Sequence, residues 1–234
     1  MPRSRLATLK GTDFNFSMVN LRFMTVWQWL LPLAGLVLAS QIAWRWMSRK
    51  WTLPCPTALA WLLESRVSDW IAGTTRTIER MEIQPGWTVV EIGPGPGRLL
   101  IPVAQRIGPQ GRMIGVDIQE GMLRRTQAKV DRLGLANVQL IHGDATQKHV
   151  DDDSADLVYL CTVLGEIPNR EEALRRCWEM LKPGGVLAIT EIALDPHFQS
   201  QSVVKRLAQG AGFAFLDCAG RPWSYTARYR KRPE

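Results

Sequence analysis

None of the four cysteines, Cys55, Cys161, Cys177 and Cys218, stands in a C-x-x-C pair. Their scatter supports neither a zinc site nor a disulfide framework, so no metal is expected and a reducing compartment fits. Internal repeats and low-complexity tracts are lacking as well. Surplus positive charge is missing from the body of the chain, where residues 51–220 carry 17 Lys/Arg against 20 Asp/Glu. The net charge of +7 comes from the two ends, with seven basic residues against one acid in residues 1–50 and five against one in residues 221–234. Nucleic-acid binders concentrate cations on the folded surface that tracks phosphates, so no nucleic-acid partner is expected.

Charge of either sign disappears from Phe23 to Trp44. As a helix this stretch spans about 33 Å, close to the hydrocarbon thickness of a bilayer. Trp27 and Trp29 lie at one end and Trp44, Trp46 and Trp51 at the other, followed by Arg45, Arg49 and Lys50, the pattern of interfacial belts and anchors. Pro32 is tolerated within a membrane span. A cleaved signal peptide and a helix packed on the core are the competing readings, the first disfavoured by the length of the run and its bulky W-R-W flank. The expectation is a single-pass transmembrane helix at about residues 23–44 of an N-terminal segment, residues 1–50. Lys10 and Arg22 before it roughly balance the cations after it, so charge leaves the orientation open.

What is present is enough for one globular domain: 234 residues, 46% of them hydrophobic. Residues 51–82 open with a Pro-bounded "LPCP" and continue with Leu59, Leu62, Leu63, Val67, Trp70, Ile71 and Ile78 at amphipathic spacing, interrupted near Gly73. That pattern predicts a helical linker or cap. From there to residue 234 the pattern alternates. Apolar runs at 88–92, 112–118, 138–144, 155–162 and 186–192 read as strands, with helical patterns at 98–107, 121–133, 170–181 and 200–209 between them. Such alternation predicts βαβ units and a parallel sheet covered on both faces. Two further strand-like runs, 213–218 and 223–230, flank Ala219-Gly220-Arg221-Pro222 and predict a closing antiparallel hairpin. The expected fold is therefore α/β, Rossmann-like and doubly wound, with a mostly parallel seven-stranded sheet.

The stretch "VVEIGPGPGRLL" (89–100) sets Gly93, Gly95 and Gly97 directly after the first strand. In a doubly wound sheet this turn lies beneath the ligand, and glycines let the main chain approach it closely. A dinucleotide site wants G-x-G-x-x-G. Here the third glycine comes one residue early and Arg98 fills the expected place.

E-x-G-x-G-x-G with an acid at the end of the second strand resembles the class I S-adenosylmethionine-dependent methyltransferases. The likeness runs through residues 86–230 and is nearest to enzymes acting on small molecules, quinones or lipids. It implies S-adenosyl-L-methionine as cofactor. Glu91 then supports the methionine end, and Asp117, in "VDIQEGML" (116–123), accepts hydrogen bonds from the ribose hydroxyls. Asp144, next to Ala145 in "HGDAT" (142–146), contacts the adenine amino group. "LKPGGVLAITE" (181–191) is similar to the turn before the family's fifth strand, with Lys182-Pro183-Gly184-Gly185 structural. Met122 either borders the adenine or makes a core contact. Each acid has a plainer reading as a turn or strand-end cap.

For the acceptor, Glu166 after the fourth strand and Asp195 and His197 after the fifth are weak catalytic candidates, as general base or as orienting groups. No N-P-P-Y motif occurs at strand four, which lowers nucleic-base and glutamine substrates. The expected function is methyl transfer to a hydrophobic small-molecule or lipid-like acceptor by a membrane-anchored enzyme whose domain faces the cytoplasm. An NAD(P)-dependent oxidoreductase and a non-catalytic interaction protein with the cofactor fold remain alternatives.

Overall fold

The computed structural model describes residues 28–36, 38–40, 42–43, 46–47 and 73–232. The chain divides into two units, Met1–Trp44 and Arg45–Glu234. In the first, the described residues are helical and exposed, including Trp29, Leu36 and Leu38. Among the described residues no helix is long and apolar enough to cross a membrane. The expected span at 23–44 and most of the linker expected at 51–82 extend outside the described residues.

The second unit is built on seven strands: β1 (Thr88–Ile92), β2 (Arg112–Asp117), β3 (Val138–His142), β4 (Ala155–Cys161), β5 (Leu181–Ile192), β6 (Ala214–Arg221) and β7 (Ser224–Arg230). Among residues 73–232 five α-helices accompany them: α1 (Thr74–Met81), α2 (Leu100–Ile107), α3 (Glu120–Leu133), α4 (Arg170–Met180) and α5 (Gln201–Gly210). The sheet order is β3-β2-β1-β4-β5-β7-β6, parallel except for β7, which runs antiparallel to both β5 and β6. The chain leaves β1 toward β2 on one side and returns to β4 on the other, so the strand order reverses between β1 and β4. Ligands bind at such a switch point, beyond the carboxyl ends of the strands.

Burial explains why near-continuous apolar runs became strands. Val89, Val90, Leu157 and Val158 are fully buried at the sheet centre, and a parallel strand covered on both faces has no polar side. Ile78, Met81, Leu100, Val103 and Ile107 pack on one face, while Leu174, Cys177, Val204 and Ala208 pack on the other. Each fully buried aliphatic side chain contributes roughly 1.5–3 kcal/mol. Helix ends follow local chemistry. Asn169 caps α4 by accepting the Glu172 amide, and Gly134, left-handed at φ 63°, stops α3.

Two boundaries differ from the expectation. Lys182-Pro183-Gly184-Gly185 lies inside β5 as a bulge, because Leu181 pairs with Ala155 and pairing resumes only at Val186 with Leu157. The Gly184 amide and Gly185 carbonyl then bond to Lys231. In the hairpin, β6 continues through Arg221, leaving a turn of only Pro222 and Trp223. Ala219 and Gly220 pair with Thr226 and Tyr225 instead of turning.

Candidate active site

A cleft of about 320 Å³ opens over the carboxyl ends of β1, β2 and β4. Its floor is the glycine loop between β1 and α2. Gly93 adopts φ 70°, and a Cβ there would come within 2.6 Å of the Val163 side chain, so this position admits only glycine. Gly95, at φ 54°, has no heavy atom within 4 Å of where its Cβ would stand. The loop thus presents bare main chain to open space, a cradle for a ligand. α3 holds it from behind: the Thr126 hydroxyl donates to the Gly95 carbonyl at 2.8 Å and Lys129 Nζ to the Pro96 carbonyl at 2.6 Å.

Asp117 ends β2 and reaches across to this loop. Its Oδ2 accepts the Gly95 amide at 2.9 Å and its Oδ1 the Gln119 amide at 2.8 Å. Burial raises its pKa above the ordinary aspartate value, and the two amide bonds oppose that rise. Each carboxylate oxygen retains a second lone pair, so the group can still accept two hydroxyls on the cleft side.

Glu91, in β1, is buried and accepts the Tyr159 hydroxyl at 2.7 Å. Burial pushes its carboxyl up to about 8, against the lowering effect of that hydrogen bond and of the nearby Arg98 guanidinium. At neutral pH it is therefore largely protonated. Arg98 lines the cleft, donating to Thr74 Oγ1 at 2.8 Å and to Cys161 Sγ at 3.7 Å. Burial lifts the Cys161 thiol to about 11, which keeps it protonated and no nucleophile.

Of the other residues singled out from sequence, Met122, Asp144 and Ala145 all line the cleft. Asp144 Oδ1 accepts both the Thr146 amide and hydroxyl at 2.8 Å, so it also shapes its own turn. On the far wall Glu166, within a 3-10 turn at Leu164–Glu166, and Asp195 face the same space. Asp195 Oδ1 accepts the His197 amide at 2.7 Å. His197 is buried outside the lining, its backbone packed against Gly165. Sequence reading passed over Tyr159, Arg170 and Glu191. An acid inside the apolar run 186–192 was the available signal for Glu191.

Residues 89–185 match the family model described as a methyltransferase domain. Among curated relatives, a demethylmenaquinone methyltransferase of Listeria welshimeri is 38% identical over 112 residues, 48% of each chain. One from Geobacillus stearothermophilus is 34% identical over 121 residues, 52% of each. The chain spans about half the length of the curated relatives it matches. Among solved structures, an S-adenosylmethionine-dependent methyltransferase from Aquifex aeolicus superposes with a TM-score of 0.69 at 19% identity, covering 76% of this chain and 98% of that one. That likeness speaks to the fold. The cradle, the acid at the end of β2 and the match over residues 89–185 agree: this part of the chain carries a methyltransferase domain.

Proposed function

We propose that the protein transfers a methyl group from S-adenosylmethionine to a hydrophobic acceptor of the quinone class. The observation that carries this reading is the cleft itself, one end a main-chain cradle facing Asp117 and the other an apolar wall with two carboxylates. The cofactor supplies an electrophilic methyl on a sulfonium. Asp117 would accept its ribose hydroxyls, Met122, Asp144 and Ala145 would border its adenine, and Glu91 would lie at its methionine end. The chain's own work is to orient and to exclude water.

At the opposite wall Val163, Ile167 and Pro168 give the acceptor an apolar seat. An acceptor that arrives protonated loses that proton when its lone pair or carbon takes the methyl. Glu166 and Asp195 are the groups placed to receive it. The named activity of the relatives, methylation of demethylmenaquinone, supports a quinone ring as acceptor.

Such an acceptor resides in a bilayer, which agrees with an anchor in residues 1–50, a linker or cap at 51–82 and a catalytic domain from residue 83 onward. The exposed apolar helical residues between 28 and 43 support that anchor. Because the cofactor is cytosolic, the domain would face the cytoplasm. Deleting residues 1–50 should move the protein from membrane to soluble fractions; an unchanged distribution in a fractionation assay contradicts the anchor. Incubation with labelled S-adenosylmethionine and a membrane lipid and quinone extract, followed by mass spectrometry, tests the reaction. A labelled quinone is expected; label found only in water-soluble species overturns the acceptor class.

A further inference from the structure

A second cavity, of about 770 Å³, opens between α1, α2 and α3, with Gly97 and Arg98 of the glycine loop in its wall. Among the described residues four cations line it, Arg98, Arg106, Lys129 and Arg132, against one acid, Glu79. Such a concentration stands out in a body where residues 51–220 carry 17 Lys/Arg against 20 Asp/Glu. Several cations elsewhere are answered by carboxylates: Arg124 of α3 by Glu120 at 2.9 Å, Lys182 by Asp156 at 2.7 Å and Lys231 by Asp153 at 2.6 Å. Among the described residues Arg98, Arg106 and Arg132 form no ion pair, and neither does Glu79.

Their hydrogen bonds leave donors over. Arg98 donates to Thr74 Oγ1 and Cys161 Sγ, Arg106 through Nε alone to the Ile83 carbonyl at 3.2 Å, and Arg132 is exposed. A guanidinium carries five N–H donors, so the three retain capacity for an anion. The rest of the wall is different in kind. Ile78, Ile101, Pro102 and Leu133 line the same space, and Leu133 is 46% exposed. Like charges gathered round one cavity repel one another, and an anion among them offsets that cost. A bare phosphate would answer the charge and leave the apolar wall in water; an uncharged lipid would do the reverse.

We propose that this cavity is a binding site for an anionic phospholipid, its phosphate held by Arg98, Arg106 and Arg132 and its glycerol and first acyl carbons set against Ile101 and Leu133. Guanidinium forks match phosphate oxygens in geometry as well as in charge, and basic pockets between helices suit lipid headgroups. Lys129 ties the site to the cradle, since it also holds the Pro96 carbonyl. Among the described residues the cavity shares only Arg98 with the cleft. The site goes beyond the methyltransferase reading and does not depend on it.

Calorimetric titration of the full chain in an uncharged detergent tests the site with three probes: inorganic phosphate, a short-chain phosphatidylglycerol and the matching phosphatidylcholine. One saturable site for phosphatidylglycerol is expected, tighter by about tenfold or more than for either other probe. Arg132→Glu should weaken it by about tenfold, the scale of losing a hydrogen bond to a charged group, and Arg106→Gln is a second variant with the same expectation. Leu133→Ser should weaken phosphatidylglycerol by about threefold and leave inorganic phosphate unchanged. Arg124→Gln, on the same helix but outside the cavity, should leave the Kd within about twofold.

Phosphatidylcholine or inorganic phosphate binding as tightly as phosphatidylglycerol overturns the proposal. So does the absence of a saturable site, or an equal loss from Arg124→Gln and Arg132→Glu. Thermal melting of each variant separates lost binding from lost fold. None of these readouts uses S-adenosylmethionine or an acceptor, so lipid binding without detectable methyl transfer upholds the site and counts against the proposed reaction instead.

Discussion

In the half of the cleft over β1 and β2 a glycine loop presents bare main chain to the open space, while the wall after β4 and β5 presents the side chains of Glu166 and Asp195. The glycine loop is tied down by its own amides and carbonyls, to Asp117, Thr126 and Lys129. The acceptor wall instead presents carboxyls at Glu166 and Asp195, and Thr162 in the left-handed region at φ 56°. A site specified by backbone tolerates few substitutions and takes one ligand. A site specified by side chains can be respecified without disturbing the sheet beneath it. On the proposed reading, acceptor choice belongs to the loops after β4 and β5, and the cofactor to the loop after β1.

The harshest way to break this contrast is Gly93→Ala. It adds a methyl at positive φ against Val163, and strain plus overpacking should cost about 3–5 kcal/mol. Urea unfolding checks it, and a loss under about 1 kcal/mol would mean the loop is not held by its backbone.

An intermediate effect comes from pH. Glu91 in the donor half and Glu191 behind the acceptor half are both raised from 4.5 to about 8, chiefly by burial. In the unfolded chain these acids ionise near 4.5, whereas folded they keep their protons until about 8. Stability is then fully present below 4.5, falls as pH rises toward 8 and levels off above it. Glu91→Gln should remove part of that decline, on the order of 2 kcal/mol across the window. Melting temperatures from pH 5 to 8.5 measure it, and parallel curves for wild type and variant would refute the buried proton. The same proton predicts that affinity for the cationic cofactor rises as pH approaches 8 in the wild type and is flat in Glu91→Gln.

Smallest is Thr162→Gly, where relief of the left-handed strain is offset by the lost hydroxyl bond to the Cys161 carbonyl and the freer unfolded chain, so stability should change by under about 1 kcal/mol. A larger loss in chemical denaturation would show that its side chain matters more than its backbone.

Much of the donor half was legible because period and spacing encode backbone. The first strand, 88–92, came out to the residue, and Glu91, Gly93, Gly95, Asp117, Met122, Asp144 and Ala145 all meet at one cleft. Gly97 does not line that cleft; a Cβ on it would strike Thr126 of α3. The acceptor half was less legible, because its partners are far apart in sequence. Arg170 opens α4 and reads as an ordinary helix-start charge, while Glu191 reads as one acid in an apolar strand. Only the fold sets them against the two loops that carry Glu166 and Asp195. The bulge at 182–185 was hidden for a related reason: Pro-Gly-Gly reads locally as a turn, and pairing with β4 and Lys231 overrides it.

Calorimetric titration of S-adenosylmethionine into the wild type and Asp117→Ala tests the donor half most directly. The account predicts one site in the wild type and binding weaker by about 30-fold to several hundred-fold in the variant, the loss of hydrogen bonds to a charged group. Equal dissociation constants, or a wild type that takes up NADH in place of S-adenosylmethionine, would contradict it.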